Sequence, residues 1–427
     1  MSLVLSLAAA LSLSGCGETD APVAPPAPPA DPTPVVAPPE APPVAANVAP
    51  TGGPYPTLLL AQAWFTREDG KPKPAPARLE IWRKTPDGWE RSRLEDPDSN
   101  VFHKALPYED GLITIGAEKA MIKKWTREGT EWKSTLIWER NWGGKFQRIR
   151  DLEIGDVDGD GKPELVIASH DFGVVAVIEP ELADGKGAGV TELDPLADTF
   201  VHEIELGDVD GDGKLEIYAT PSERNKANAS QPGLVVAYRF VDGKYVRTVM
   251  EDEPGTHAKE ILAADLDGDG KSEVFSVFEA EVENKQVKRP VLIRQYLPKP
   301  DGSFEKVDVT SIEDRQTRFL LHGDLDGDGF QELVAAAMKS GLWMLRSGDK
   351  GKTWEKSLID DKSSGFEHAS LLTDLDGDGQ LELYVASDDQ REVRVYTYDR
   401  ATKTWSKEVI GSLDDSTLTW NVTATTF

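Results

Sequence analysis

The chain has 427 residues, of which 39% are hydrophobic, and its 75 acidic and 47 basic side chains give a net charge of −28. So acidic a surface argues against nucleic acid and against anionic lipid as binding partners. The length alone would suggest two or three domains, whereas the hydrophobic content allows one large core.

The N-terminus carries a short apolar segment, residues 3–13, which is too short to span a bilayer as a mature helix. It runs into Leu13-Ser14-Gly15-Cys16, which resembles a bacterial lipoprotein box. That resemblance implies a signal peptide over residues 1–15, cleavage before Cys16 and lipidation of its thiol, although residues 1–15 lack the usual Lys or Arg. Two or more acyl chains anchor stably. Because Gly17 follows the cysteine, we expect a lipid-anchored protein at the bacterial outer membrane or cell surface, with a periplasmic-facing orientation as the alternative.

Residues 16–53 are rich in proline and alanine. Such a segment cannot build a core, and it favours extended polyproline-II backbone. We therefore predict a tether that spaces the following domain, residues 54–427, from the membrane.

Two strand groups begin this domain. Their short alternating or aromatic-rich runs predict β-strands. The first group supplies three strands and the second supplies four: residues 58–64, 79–82 and 89–94, then 101–106, 111–116, 120–125 and 132–137.

Five copies of the pattern Asp-x-Asp-Gly-Asp-Gly-x-x-Glu follow, each with strand-like sequence on both sides. Four carboxylates within nine residues repel one another unless a cation binds them, and Ca²⁺ prefers such oxygen ligands. We predict about five Ca²⁺ ions, held by Asp156, Asp158, Asp160 and Glu164; Asp208, Asp210, Asp212 and Glu216; Asp265, Asp267, Asp269 and Glu273; Asp324, Asp326, Asp328 and Glu332; and Asp374, Asp376, Asp378 and Glu382. These are not EF-hands, because position 12 is apolar or small and strands rather than helices flank each loop.

The motifs start 52, 57, 59 and 50 residues apart, a period typical of a propeller or array. Each unit has four predicted strands, A to D, and the acidic loop joins A to B. The first unit lacks strand A, and residues 417–425 supply a spare one at the other end of the chain. We therefore predict an all-β, seven-bladed propeller, with metal loops in five blades and a ring closed by the C-terminal strand, so that no sheet edge remains open.

The motif loops between strands resemble those of the FG-GAP/VCBS repeats found in bacterial surface proteins and integrin α-subunit propellers. The resemblance is strong over about residues 150–390 and extends to residues 55–427 through the strand pattern. It implies a calcium-loaded propeller and assigns the four carboxylates of each motif as ligands. The first two blades depart from the family pattern by lacking the loop.

One register of strand A, six residues before each acidic loop, carries nitrogenous ionisable side chains. These candidate ligand-binding residues are Arg150, His202, Lys259, Arg318 and His368. Such side chains at the channel mouth can bind a carboxylated or sulfated ligand or abstract a proton beside a carboxylate. Ion pairing with neighbours such as Asp151, Glu203 and Glu260 is the structural alternative.

No nucleophile elbow, zinc-protease motif, phosphate loop or dinucleotide fingerprint occurs in the sequence. We therefore expect a non-enzymatic, surface-tethered propeller that binds a glycan or protein partner. The alternatives are a polysaccharide-active, lyase-like enzyme at the channel mouth and a structural component of an envelope assembly, since a fold alone does not select among them.

Overall fold

Strands account for all the long regular elements in the part of the chain that the computed structural model describes, which comprises residues 46–144, 147–182, 189–194, 199–224 and 229–427. The predicted signal peptide, Cys16 and residues 17–45 of the predicted tether lie outside these residues. No helix long and apolar enough to cross a membrane occurs among the described residues.

The strands alternate with short turns along the whole domain. In chain order they are β1 (Pro56–Glu68), β2 (Lys71–Pro74), β3 (Ala77–Thr85), β4 (Gly88–Asp96), β5 (Phe102–Tyr108), β6 (Gly111–Gly116), β7 (Ala120–Glu128), β8 (Glu131–Arg140), β9 (Ile149–Gly155), β10 (Glu164–Ser169), β11 (Val175–Ile178), β12 (Val190–Glu192), β13 (Thr199–Gly207), β14 (Glu216–Glu223), β15 (Gly233–Val241), β16 (Lys244–Glu253), β17 (Ala258–Ala264), β18 (Glu273–Phe278), β19 (Glu281–Glu283), β20 (Gln286–Arg289), β21 (Val291–Pro298), β22 (Phe304–Ile312), β23 (Thr317–Gly323), β24 (Glu332–Ala337), β25 (Leu342–Arg346), β26 (Glu355–Asp360), β27 (Ser370–Thr373), β28 (Glu382–Ser387), β29 (Glu392–Asp399), β30 (Thr404–Ser412) and β31 (Thr417–Thr426).

Twenty-eight of these strands form seven four-stranded antiparallel sheets, which we call blades, while β2 pairs with the outer part of β1 and β19 and β20 form a separate two-stranded hairpin. Blade 1 has the order β31-β1-β3-β4, and blades 2, 3 and 4 are β5 to β8, β9 to β12 and β13 to β16. Blade 5 is β17-β18-β21-β22, and blades 6 and 7 are β23 to β26 and β27 to β30. The predicted all-β, seven-bladed propeller is confirmed at this level.

The first strand of each sheet order is the inner strand of its blade. Each inner strand contacts the inner strand of the next blade, around a circuit that returns from β27 through β31 to β5. The chain's last strand, β31, pairs antiparallel with β1 from Pro56↔Thr426 to Trp64↔Thr417. Residues far apart in sequence thereby share blade 1.

The hydrophobic core of the described residues consists of eight clusters, each of which packs between two adjacent blades, and two of them lie between blades 1 and 2. The second strands β6, β10, β24 and β28 are buried at every position because a neighbouring blade covers each face. Between blades 7 and 1 the Trp82 ring lies against Gly411, where a Cβ atom would stand 2.4 Å from the indole. Only glycine allows this contact.

Residues 46–50, which composition assigned to the tether, lie against the propeller. Asn47 N–H donates to Arg93 O at 2.8 Å, Ala49 N–H donates to Thr130 O at 2.8 Å, and Ala49 is buried. Pairing of backbone groups with blades 1 and 2 offsets the ordering of this short segment. Composition did not reveal this contact, because it depends on the partner strands.

Candidate functional site

The five acidic loops join the inner strand of blades 3 to 7 to the second strand, as expected. Each position-1 aspartate accepts hydrogen bonds from two loop glycines; in the first loop Gly159 N–H donates to Asp156 Oδ1 at 2.7 Å and Gly161 N–H donates to Oδ2 at 2.9 Å. The glycines at position 6 have φ between 85° and 89°. This left-handed backbone favours glycine and turns the loop sharply.

The terminal glutamate of each loop uses one carboxylate oxygen to hold the loop. Its Oε2 accepts a hydrogen bond from the backbone N–H at position 2, as Glu332 does from Leu325 at 2.8 Å and Glu164 does from Val157 at 2.9 Å. The other oxygen of Glu332 is buried and has no hydrogen-bond partner. An anionic oxygen left in this way suits a bound cation.

Carboxylate oxygens converge within 4.8 Å in every loop. The converging groups are Asp156, Asp158 and Glu164; Asp208, Asp210 and Asp212; Asp265, Asp267 and Asp269; Asp324, Asp326 and Glu332; and all four carboxylates, Asp374, Asp376, Asp378 and Glu382, of the fifth loop. Burial and the neighbouring aspartates raise the pKa of Glu164, Glu273 and Glu332 to about 7. All-oxygen donor sets of this charge fit Ca²⁺.

A second set of residues lies at the opposite end of the inner strands, where a β-bulge interrupts the pairing of six blades. The pairing skips His103 and Lys104 in β5, Arg150 in β9, His202 and Glu203 in β13, Lys259 in β17, Arg318 in β23, and Trp420 in β31. In blade 7 the corresponding residue, His368, has φ 57° just before β27. The strand position identified from sequence therefore coincides with the position of the bulges, and a bulge changes the direction in which a side chain points.

Most of these bulge residues meet in the centre of the ring. We call this group the mouth cluster, and it comprises Arg150, His202, Lys259, Arg318 and Trp420 together with Glu279, Phe366 and Glu367. Arg150 Nη2 lies 3.0 Å from Glu367 Oε2, and Arg318 also pairs with Glu367, which is fully buried. Since Arg150 belongs to blade 3 and Glu367 precedes blade 7, these contacts cross the channel.

Lys259 occupies the other side of the mouth cluster. Its Nζ lies 3.1 Å from both ring nitrogens of His202 and 3.9 Å from Glu279 Oε1. Burial, with Arg318 and Arg150 adding to its effect, lowers the pKa of Lys259 to about 7, while Glu279 opposes the shift. A lysine in this range is partly neutral at physiological pH and can accept a proton. The pKa of His202 is held well below 6.5 by burial and by Lys259, so its ring stays neutral.

Aromatic rings border the two arginines. The Arg150 guanidinium lies 5.0 Å from the Trp420 ring, and that of Arg318 lies 4.6 Å from the Phe366 ring. Phe366 and Trp420 contact each other edge to face at 6.4 Å, and Phe366 remains 42% exposed. The sequence pattern missed Phe366, Trp420 and Glu367, because none belongs to an acidic motif or to the nitrogenous register.

Several polar atoms of the mouth cluster are buried without a hydrogen-bond partner among the described residues. They are Arg318 Nε, Glu279 Oε1 and Trp420 Nε1. Unsatisfied buried groups cost free energy in the empty protein, and a polar ligand can satisfy them. The mouth cluster can therefore supply fixed positive charge, a neutral amine, hydrogen-bond donors and a ring surface to one ligand.

Beneath the mouth cluster the inner strands carry an acidic layer. Lys104 Nζ lies 2.8 Å from Asp151 Oδ1 and also pairs with Glu153. Burial raises the pKa of Glu203 and Glu260 well above 4.5, and their repulsion by Asp151 adds to this. The arginines of the mouth cluster pair with Glu279 and Glu367 rather than with these strand neighbours, since adjacent strand residues point in different directions.

His368 stands apart from the mouth cluster contacts. Its Nδ1 lies 2.6 Å from Ala337 O and its Nε2 lies 2.8 Å from Ser363 Oγ, and the ring is fully buried. These contacts join blade 7 to blade 6, which is a structural arrangement. Burial, with Arg394 adding to its effect, lowers the pKa of His368 to about 4, while Asp389 and Asp314 oppose the shift.

A His368→Gln variant is expected to lose about 1–2 kcal/mol of unfolding free energy at pH 7, because two buried hydrogen bonds are disturbed. Between pH 6.5 and 4 the unfolded wild-type chain binds a proton at His368 that the native state excludes. Wild-type stability therefore falls with decreasing pH by up to about 1.4 kcal/mol per pH unit through this group, and the variant lacks that loss. Denaturant titrations should show the deficit shrinking from pH 7 to pH 5; a constant deficit would contradict the assignment.

Comparisons with known proteins agree with this architecture. The family model described as an FG-GAP-like repeat matches residues 156–219, which include the first two acidic loops. Among solved structures, the periplasmic gluconolactonase of Pseudomonas aeruginosa superposes with a TM-score of 0.50 at 14% identity, covering 86% of this chain and 99% of that one. At that identity the likeness shows the fold alone.

Two curated relatives are enzymes of Bacillus subtilis (strain 168). Rhamnogalacturonan endolyase YesW is 25% identical over 341 residues, covering 65% of this chain and 54% of the relative. Rhamnogalacturonan exolyase YesX is 25% identical over 187 residues, covering 38% of this chain and 30% of the relative. The chain thus spans about half or less of their length. Both relatives are lyases, so the expectation of a non-enzymatic adhesion or recognition protein is contradicted, and the lyase-like alternative is the better supported one.

Proposed function

We propose that this chain is a calcium-stabilised, membrane-anchored polysaccharide lyase whose active site is the mouth cluster. The observation that carries the proposal is the meeting of two arginines, a lysine of lowered pKa and two aromatic rings at one end of the channel. The likeness to two lyases supports the reaction class. Their names make rhamnogalacturonan, a uronate-containing polysaccharide, the first substrate to test.

In the proposed reaction Arg150 and Arg318 bind the uronate carboxylate. Glu367 lies between the two guanidinium groups and Glu279 Oε1 lies 3.7 Å from Arg318 Nη2, so the substrate carboxylate would accept from guanidinium N–H groups that these two glutamates leave unused, such as Arg318 Nε. Neutralising the substrate carboxylate makes the hydrogen on the adjacent α carbon more acidic, because the carbanion that develops there is stabilised. Phe366 and Trp420 provide a surface for a sugar ring.

Neutral Lys259 Nζ then takes the proton from the α carbon. The electrons of that C–H bond form the double bond between the α and β carbons. The bond from the β carbon to the glycosidic oxygen breaks, the departing oxygen takes a proton from water, and the hydroxide so formed takes back the proton that Lys259 holds. The products are a shortened chain and an unsaturated uronate, with no oxidant or reductant consumed.

The test is to incubate the purified chain with rhamnogalacturonan, homogalacturonan, alginate and a neutral glucan, with calcium present. The expected result is ultraviolet absorbance from an unsaturated product with a uronate polymer and none with the neutral glucan. If no uronate polymer is cleaved while calcium is bound and the chain is folded, the proposed activity is wrong. Binding of a polymer without cleavage would count equally against it.

Calcium enters this proposal as a structural ion. The carboxylates of the five acidic loops would hold it, and Ca²⁺ would neutralise their repulsion and fix the turn between inner and second strands. The loops lie at the opposite end of the inner strands from the bulges. The proton transfer therefore depends on the chain's own side chains.

We also propose that the β1–β31 pairing closes the ring in solution. A chain lacking residues 416–427 is expected to melt at a lower temperature and to aggregate, because blade 1 loses its inner strand and exposes the edge of β1. Light scattering and thermal melts measure both effects. Unchanged melting and solubility would show that the ring closes elsewhere.

The lipid anchor at Cys16 remains our proposal for localisation. Cys16→Ser is expected to move the protein from the membrane fraction to the soluble fraction, since two or more acyl chains are needed for stable anchoring. Mass spectrometry of the wild-type N-terminus should show a diacylglycerol-modified cysteine. An intact and unmodified N-terminus would rule the anchor out.

A further inference from the structure

The five acidic loops differ in the residue that faces their terminal glutamate from the third strand of the blade. The register pairs Glu382 with Thr397 in blade 7. In the other four blades the last pairs of the second and third strands are Leu165↔Ile178, Ile217↔Tyr238, Val274↔Tyr296 and Leu333↔Leu345. Extending each pairing by one residue gives the residue opposite the terminal glutamate. In chain order the residues are Glu179, Arg239, Leu297, Arg346 and Thr397. The second and fourth loops, in blades 4 and 6, therefore face an arginine.

Arg239 binds the carboxylates of the second loop. Its Nη1 lies 2.9 Å from Asp210 Oδ2, and its Nε lies 3.0 Å from Glu216 Oε1. The other oxygen of Glu216 accepts from Val209 N–H. The guanidinium thus uses the oxygen of Glu216 that would otherwise face a cation.

Arg346 repeats this arrangement in the fourth loop. It pairs with Asp326, and its Nη2 lies 3.8 Å from Asp328 Oδ2 while its Nε lies 4.0 Å from Glu332 Oε1. From the same strand position in two blades, an arginine thus pairs with the position-3 aspartate of the acidic loop, Asp210 or Asp326, and provides a counter-charge beside it.

The other three loops lack this arginine. The first faces Glu179, an additional negative charge, and the third and fifth face the uncharged Leu297 and Thr397. Lysines reach two of these loops from other elements, but each contacts one aspartate: Lys84 Nζ lies 2.6 Å from Asp376 Oδ2, and Lys350 Nζ lies 3.9 Å from Asp267 Oδ2. Neither lysine contacts a terminal glutamate.

We propose that the loops form two classes of calcium site, with loops 2 and 4 weaker because Arg239 and Arg346 compete with the ion for the same oxygens. This inference rests on the calcium binding proposed above. An ion entering loop 2 must displace the hydrogen bond from Arg239 to Glu216 and the ion pair with Asp210, and must then lie beside a fixed positive charge. We expect the dissociation constants of loops 2 and 4 to exceed those of the other loops by about tenfold or more. At low calcium concentration the arginines would then still neutralise part of the negative charge of the loops in blades 4 and 6.

The test is calcium titration of the full chain by equilibrium dialysis and calorimetry at fixed ionic strength. The wild-type chain should show about three tighter and two weaker sites, and Asp208→Asn with Asp324→Asn should remove only the weaker class. Arg239→Leu and Arg346→Leu, which introduce the residue that faces loop 3, should each convert one weak site into a tight one. The reciprocal Leu297→Arg should weaken one tight site.

Arg127→Leu is the matched control, since Arg127 lies on the third strand of blade 2, which has no acidic loop. It should leave every site unchanged. Five equivalent sites that do not respond to the arginine variants would overturn this inference and leave the calcium proposal intact. No calcium bound to any loop would instead overturn the calcium proposal itself.

Discussion

Chelation of calcium should lower the melting temperature of the wild-type chain by on the order of 10–20 °C. A ligand that binds only the folded state contributes about 2.7 kcal/mol per site at a hundredfold excess over its dissociation constant. Five filled loops therefore supply a large part of the stability of a domain of this size. The carboxylates left behind repel one another, most of all in the three loops that face no arginine, which adds to the loss.

Thermal melts with calcium, with chelator and with calcium restored measure the effect. Magnesium should restore little, because it demands a tighter octahedral shell than these loops offer. Asp374→Asn removes a position-1 ligand from the loop where all four carboxylates converge, and it should reproduce a fraction of the loss. A melt that is the same with and without chelator would refute a stabilising role for calcium.

Lys259→Met should reduce cleavage of a uronate polymer by about 100- to 10,000-fold, the range that a general base contributes. Lys259→Arg should be equally inactive, because a guanidinium stays protonated. The wild-type rate should rise as the pH increases through about 7, since the neutral amine is the form that accepts the proton. Lys259→Met should lose little stability, because methionine fills the site without a buried charge.

The matched control is Lys339→Met. Lys339 is an exposed residue of the loop between the second and third strands of blade 6, and it pairs with Asp389. It should retain full activity. Unsaturated-product absorbance measured across pH distinguishes the outcomes. Full activity in Lys259→Met would show that another group removes the proton, and an unchanged pH profile in the wild type would show that Lys259 does not titrate in the reaction.

The blades and acidic loops could be read from the sequence because each depends on local, repeated information. Alternating strands recur with a fixed period, and the loop motif places its own glycines, such as Gly161 and Gly329, at the turn. The spare strand at residues 417–425 was visible because the first blade was one strand short. These features need no knowledge of which side chains meet across the ring.

The mouth cluster could be predicted only in part. The register containing Arg150, Lys259 and Arg318 stood out, but the partner that holds both arginines, Glu367, lies more than 200 residues from Arg150 in the chain. Trp420 enters the cluster only because the last strand joins the first blade. His368 shares the register yet faces blade 6, because its position lies just outside the short strand β27. Contacts of this kind depend on closure of the ring, which no local pattern encodes.

The bulges have a consequence for how such a protein can change over evolution. A bulge residue makes no ladder pair, so replacing it leaves the pairing of the strands in its blade intact. Six of the seven blades thus present one or two positions where a substitution can alter the side chains of the channel while the strand pairing stays the same. The chemistry of the channel can therefore change through a few single substitutions, one blade at a time.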